Sequence, residues 1–347
     1  MKKLALFTVV LGLLPLSTIA QSSIRKTLYN SDSRVEADQH PDRRLRDYSN
    51  SVAGMVRNYQ LLKENPITPD AMLRDLMQQL QRLKGLPEND DDLLYNQEAH
   101  LKQVIQIYQS NLENQTLNAD NEEEYFYFDK QRTLKRTMNV CQSERFADQP
   151  VLANCTGFLI ADDVLVTAGH CIENVYQCRN FSWVFGFKHN TDKIKKSDVY
   201  RCKEILSQNL DSSRFVTRDY AIIRLDRSVT DREPLPIRTS GRVGLNEELA
   251  IIGHPSGLPL KTADSATVKS SRINFFYSDL DAFQGNSGSP VINRASGLVE
   301  GILVEGGEDY FFDEKKWCYV PSLKGSRDKV EEKVYRINRI PDIMSFL

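Results

Sequence analysis

The sequence predicts a mainly β protein with an added α-helical hairpin. Beyond about Thr133 the chain reads as short apolar runs separated by Gly, Pro and Asp turns. That is the pattern of a sandwich or of barrels rather than of a parallel doubly wound sheet. Between Thr68 and Asn114, by contrast, apolar residues recur at helical spacing. With 347 residues, 40% of them hydrophobic, the chain can hold one large or two medium domains around a buried core.

In chain order, residues 1–20 have the form of a secretory leader. Lys2 and Lys3 precede an apolar run from Leu4 to Leu16, and Ser17-Thr18-Ile19-Ala20 offers small residues for cleavage before Gln21. The run is shorter than the ~20 residues that span a bilayer, so a leader is expected rather than an anchor. A secreted or periplasmic protein follows, without stable membrane insertion. Residues 21–60 are polar and irregular, apart from a strand-like start at Ile24–Tyr29. Residues 61–132 hold the hairpin and an acidic linker. Its first helix opens with Thr68-Pro69-Asp70, an N-cap, a proline at the first helical position and an acid at the positive helix end. Met72, Leu73, Leu76, Met77, Leu80 and Leu83 form its apolar stripe. The second helix runs from about Asp91 to Asn114, with Leu94, Leu101, Ile105, Tyr108 and Leu112 on one face. Residues 133–347 form the β-rich domain. A hairpin is expected from Thr156–Ile160 and Val164–Ala168, then strands near 181–187, 198–206, 220–225, 249–253, 266–276, 290–293, 298–304 and 335–337.

The formal net charge of −2 gives no global field to draw the chain onto nucleic acid or an anionic membrane. Six cysteines, an even number in an exported chain, fit disulfides. No pair has the short spacing of a zinc site, so no metal is expected there.

Chemistry concentrates in three strings. Gly285-Asn286-Ser287-Gly288-Ser289-Pro290 is a turn in which glycine lets the backbone come close to a substrate carbonyl. The amides of Gly285 and Ser287 are then placed for an oxyanion beside the Ser287 hydroxyl. Thr167-Ala168-Gly169-His170-Cys171 puts an imidazole at the end of an apolar strand, suited to move a proton near neutral pH. Asp219 opens the apolar strand Tyr220–Leu225, where its carboxylate can orient the second imidazole nitrogen. Asp211, in a polar loop, and Asp226, at the far end of that strand, are rivals for that role.

The order His170, Asp219, Ser287, with the TAGHC and GNSGSP strings, resembles the chymotrypsin-like (trypsin-like) serine endopeptidases over roughly residues 135–345. GNSGSP is similar to the secreted bacterial glutamyl-endopeptidase-like branch. Ser31-Asp32-Ser33-Arg34 loosely resembles an element near the mature start of that branch. The resemblance implies two perpendicular six-stranded antiparallel β-barrels, with residues 21–60 as the start of the catalytic domain and the hairpin as an insertion. It implies hydrolysis of protein or peptide substrates by His170, Asp219 and Ser287 without a cofactor, and a disulfide between Cys155 and Cys171. Cys141, Cys178, Cys202 and Cys318 stay open, Cys178 with Cys202 and Cys141 with Cys318 being one arrangement. Asn286 stands where many members carry an aspartate that pairs with a newly cut amine, which implies a different activation. Asp281 matches the acid at the base of the trypsin primary pocket and implies Arg or Lys before the scissile bond, though Phe283 replaces a pocket cysteine. Gly301–Gly307 lacks the histidine that reads glutamate in the glutamyl branch. The acids Glu305, Glu308 and Asp309 are expected as a solvated loop, and His254 as a structural residue. Two rival readings are a catalytically inactive protease-fold protein that docks a partner through the hairpin, and an inhibitory propeptide spanning residues 21 to about 134.

Overall fold

A computed structural model describes residues 28–29, 31–63, 124–212, 217–324 and 332–347, with single positions at 77, 80, 102, 105 and 106. The leader expected at 1–20 and nearly all of the expected hairpin lie outside the described residues. Met77, Leu80, Lys102, Ile105 and Gln106 are helical.

The chain enters through two short strands, Leu28–Tyr29 (β1) and Val35–Glu36 (β2), and a short helix Arg43–Tyr48 (α1). Asp42 caps α1 by accepting the Arg44 N–H at 2.9 Å. Val52–Arg57 (β3) follows, in a stretch expected to be irregular. Val52 through Val56 are all buried, so no apolar/polar alternation marks them. Tyr125–Phe126 (β4) leads to a helix over Leu134–Met138 (α2), capped by the Thr133 side chain. Cys155–Ala161 (β5) and Val164–Thr167 (β6) make the expected hairpin. A further helix, Val175–Asn180 (α3), precedes Phe181–Phe185 (β7), Ile194–Lys195 (β8), Val199–Ser212 (β9) and Thr217–Leu225 (β10). Six of these strands close an antiparallel barrel in the order β10-β6-β5-β3-β7-β9.

The second barrel uses Glu248–Gly253 (β11), Lys261–Ser271 (β12), Phe275–Ser278 (β13), Pro290–Asn293 (β14) and Val299–Glu305 (β15). After the hairpin Tyr310–Asp313 (β16) and Cys318–Pro321 (β17), and Leu323–Lys324 (β18), it is completed by Glu332–Arg336 (β19). The order β11-β14-β15-β19-β13-β12 closes through β11–β12 pairing, and β2 adds to β12 from outside. Residues 266–276, expected as one strand, are two. A turn in which the Arg272 N–H donates to Phe275 O at 2.9 Å separates β12 from β13.

One apolar cluster runs from the first barrel (Phe158, Leu165, Trp183, Ile222) across to Ile252, Ile302 and Tyr335 of the second. Tyr220 on β10 stacks on Tyr335 on β19, with ring centroids 5.8 Å apart. A second cluster, including Val268, Phe276, Val291 and Val334, fills the second barrel. Three disulfides join Cys141 to Cys318, Cys155 to Cys171 and Cys178 to Cys202. They match the implied pair and the arrangement given for the other four. Among the described residues no helix is long and apolar enough to cross a membrane.

Candidate active site

β6 delivers the imidazole. Val164-Leu165-Val166-Thr167 is wholly buried and ends in a short turn that carries His170. β10 runs antiparallel beside β6 and brings Asp219 to the same place. Both oxygens of Asp219 engage this one residue. Oδ1 accepts the His170 backbone N–H at 3.0 Å, and Oδ2 lies 2.7 Å from Nδ1. With the Nδ1–H donating to a carboxylate, Nε2 carries the lone pair and is the proton acceptor. Asp219 is 8% exposed. Burial disfavours the His170 imidazolium, but the hydrogen bond and charge of Asp219, with help from Glu173, outweigh it and hold the pKa above the usual histidine value. The rivals lie elsewhere: Asp211, expected in a polar loop, is in β9 opposite Arg218, and Asp226 accepts the Arg201 N–H.

Ser287 sits in a turn between the barrels, and two glycines on either side require its shape. Gly285 has φ +96°, and a Cβ there would lie 2.4 Å from the His254 carbonyl oxygen. Gly288 has φ +84°, and its Cβ would meet Thr156 O and Thr167 Oγ1, each at 2.2 Å. The turn is pinned to the strands that carry the histidine. Thr156 N–H donates to Ser287 O at 2.9 Å, and Thr156 Oγ1 donates to Gly285 O at 2.8 Å. The same hairpin thus fixes the serine turn at β5 and launches His170 from β6. The structure joins His170 to Asp219 directly. Among the described residues no hydrogen bond is found between the Ser287 side chain and His170.

The backbone amides of the turn are aimed by their neighbours. Gln284 O accepts the Ser256 N–H and Asn286 O accepts the Ser289 N–H, at 2.5 and 2.9 Å. In a trans peptide the C=O and N–H point opposite ways, so Gly285 N–H and Ser287 N–H are turned to the other side of their peptide planes. Among the described residues neither amide has a hydrogen-bond partner. Asn286 is buried, with its Oδ1 3.3 Å from Ser289 Oγ.

Asp281, expected at the base of the primary pocket, does not line the cavity beside Ser287. Its buried carboxylate instead accepts the N–H groups of Tyr29 and Ser33, both at 2.8 Å, and the Ser33 hydroxyl at 2.5 Å. Burial raises its pKa, while these donors act in the opposite sense. Asp281 therefore anchors the entering segment, which a position count from the serine does not reveal. The cavity beside Ser287, about 200 Å³, is lined by Phe283, Leu303 and Gly306, with Glu305 and Asp309 as its charged groups. Glu305 faces Lys333 at 3.1 Å, and Asp309 Oδ2 accepts the Gln284 N–H at 2.7 Å. A second cavity, about 170 Å³, borders Gly285 on the other side of the turn. Its lining includes Arg132, Met138 and Asn154. Ser256, Thr156 and Arg132 had no sequence signature as site residues.

His254 is structural. It is buried, donates Nδ1–H to Leu258 O at 2.8 Å and stacks on Phe187, and burial pushes its pKa down to about 4. Cys155, His170 and Cys171 cluster closely, but the two sulfurs are bonded to each other and offer no thiolate to a metal.

Residues 155–302 match the trypsin-like peptidase domain. The matched stretch contains His170, Asp219 and Ser287, and a peptidase is the activity class this match supports. No curated protein matches the chain. Solved structures similar to it include neuropsin, a serine protease expressed in the limbic system of mouse brain. It is 15% identical over 56% of this chain and 88% of that one, with a TM-score of 0.39. The inactive form of the Rv3671c protease is 16% identical over 54% of this chain and 80% of its own, with a TM-score of 0.38. A Glu endopeptidase in complex with MPD is 19% identical over 52% and 79%, with a TM-score of 0.37.

Proposed function

We propose that the chain is a secreted serine endopeptidase that cleaves peptide bonds through an acyl-enzyme. The observation that carries the reading is the pair made by Asp219 and His170, in which both carboxylate oxygens hold one histidine and leave Nε2 as the acceptor. Beside it stands a serine turn whose Gly285 and Ser287 amides have no partner among the described residues. Ser287 Oγ attacks the scissile carbonyl carbon as its proton passes to His170 Nε2. The carbonyl oxygen takes the negative charge and the two amides receive it. Collapse breaks the C–N bond, with the proton delivered from His170 to the departing amine. Water then repeats the sequence on the ester and frees Ser287. Substrate binding draws the Ser287 hydroxyl into line with Nε2, a contact that tightens in such sites only in the complex.

An Arg or Lys before the scissile bond is the preference we favour. The carboxylates that line the cavity beside Ser287 and support it are Glu305, which also pairs with Lys333, and Asp309, which also accepts the Gln284 N–H; Asp281 is not among them. Residues 28–63 belong to the catalytic unit in this reading, because β3 is paired between β5 and β7 in the first barrel. Removal of residues 21 to 134 as a propeptide would open that barrel. Asn286, held by its own neighbours, makes no ion pair with a new N-terminal amine, so activity does not await such a cut. Three disulfides support an oxidising compartment. An unbiased peptide library tests the whole reading. Cleavage by the native chain that disappears in Ser287→Ala is expected, and undiminished cleavage by the variant refutes it.

A further inference from the structure

The two cavities that flank the Gly285–Ser287 turn carry charges of opposite sign. Glu305 and Asp309 line the one beside Ser287, whereas Arg132 is, among the described residues, the single charged residue lining the one beside Gly285. Arg132 is exposed, and its guanidinium has no hydrogen bond or ion pair among the described residues. Its backbone is nevertheless fixed. Arg132 N–H donates to Asp129 O at 3.2 Å, and Arg132 O accepts the Val151 N–H at 2.9 Å. The α2 segment that follows is tied to β17 by the Cys141–Cys318 disulfide. A rigid backbone thus presents an unpartnered cation to the cleft.

The direction of the substrate follows from the chemistry. Asn154, in the Arg132 cavity, directly precedes Cys155, whose disulfide to Cys171 lies next to His170. His170 returns its proton to the departing amine, so the leaving half of the substrate lies on this side. The acyl half lies toward Ser287 and Glu305. At about 170 Å³ the Arg132 cavity is smaller than the roughly 300 Å³ at which small-molecule pockets begin, the scale of a single side chain. A planar guanidinium with free donors matches a carboxylate in bidentate fashion. Among the described residues no acidic group lines this cavity to compete for it.

We infer that Arg132 is a specificity-determining residue that reads a Glu or Asp side chain within the first two residues after the scissile bond. This rests on the endopeptidase reading above. The test uses internally quenched peptides that share one cleavage site and carry Glu, Gln or Lys at each of the two positions that follow it. For the native chain at low salt, kcat/KM for the Glu peptide exceeds that for the Gln peptide by roughly 2- to 5-fold, the size of a solvent-exposed ion pair. The ratio shrinks as NaCl is raised. It falls to about one in Arg132→Ala, is partly kept in Arg132→Lys, and inverts in favour of the Lys peptide in Arg132→Glu. Ser287-dependent cleavage with equal rates on Glu and Gln peptides, or a ratio that Arg132→Ala leaves unchanged, overturns this inference alone. Absence of any Ser287-dependent cleavage overturns it together with the endopeptidase reading.

Discussion

Replacing Asp219 with asparagine probes the one contact on which the proposed chemistry turns. In the native site Oδ1 holds the His170 backbone N–H and Oδ2 holds Nδ1. An asparagine keeps the first bond only by turning its single carbonyl oxygen toward that N–H, which leaves its NH₂ group facing Nδ1. Two donors cannot share that contact, so the imidazole proton moves to Nε2, which ceases to be an acceptor. A loss in kcat on the order of 10⁴-fold follows, equivalent to about 5 kcal/mol of barrier. The pH profile gives a second, independent reading. Burial lowers the His170 pKa, and Asp219 outweighs it, so that the native value lies above the usual one. The base works only when neutral, and native activity is therefore lost as pH falls through that raised pKa. Without the carboxylate, burial is opposed only by Glu173, and the acid limb of kcat/KM moves to lower pH. Stopped or continuous assays with a fluorogenic peptide between pH 5 and 9, roughly the histidine range, measure both. A loss smaller than tenfold, or a limb that stays in place or moves to higher pH, refutes the assignment of Asp219.

Gly285→Ala forces a Cβ against His254 O and a side chain onto a positive φ. Displacing the amide should cost about 10²–10³-fold in kcat, with a lowered Tm, and unchanged kinetics would contradict its role. The double variant Cys155→Ala, Cys171→Ala opens the loop that holds His170 (sequence separation 16). Denaturant titration should show a loss of about 3 kcal/mol, with the activity of the surviving folded fraction reduced as well. His254 is neutral in the fold down to about pH 4 but takes up a proton on unfolding below its usual value. Its contribution is complete above about pH 6.5 and is lost as pH falls toward 4, roughly 3 kcal/mol in all. Urea titrations of His254→Asn should lose stability over that interval less steeply than the native chain does.

The three residues proposed as a triad can be picked from the sequence because each sits at a local boundary that sequence marks well. His170 ends an apolar strand, Asp219 begins one, and Ser287 lies between glycines whose backbone angles no other residue holds easily. The Cys155–Cys171 bridge was implied by the family resemblance, not by the cysteine spacing. What escaped depends on long-range pairing. β3 is buried on both faces and shows no alternation, so Val52–Arg57 reads like its irregular surroundings. Asp281 stands at a suggestive distance before the serine, but its carboxylate is taken by Tyr29 and Ser33, some 250 residues away in the chain (|i−j| 252 and 248). Only the folded arrangement reveals that partnership. Ser256 and Thr156 act through ordinary backbone and hydroxyl bonds to the serine turn, for which no residue pattern exists. Arg132 is one arginine among many basic residues until the cavity beside Gly285 gives it a place.

Labelling with a fluorophosphonate, followed by peptide mapping, decides whether Ser287 is an activated nucleophile. A single phosphonyl adduct on Ser287, absent from Ser287→Ala and strongly slowed in His170→Ala, is the result that an activated serine nucleophile predicts. A native chain that is folded yet takes up no adduct, or takes it up on another residue, would contradict it.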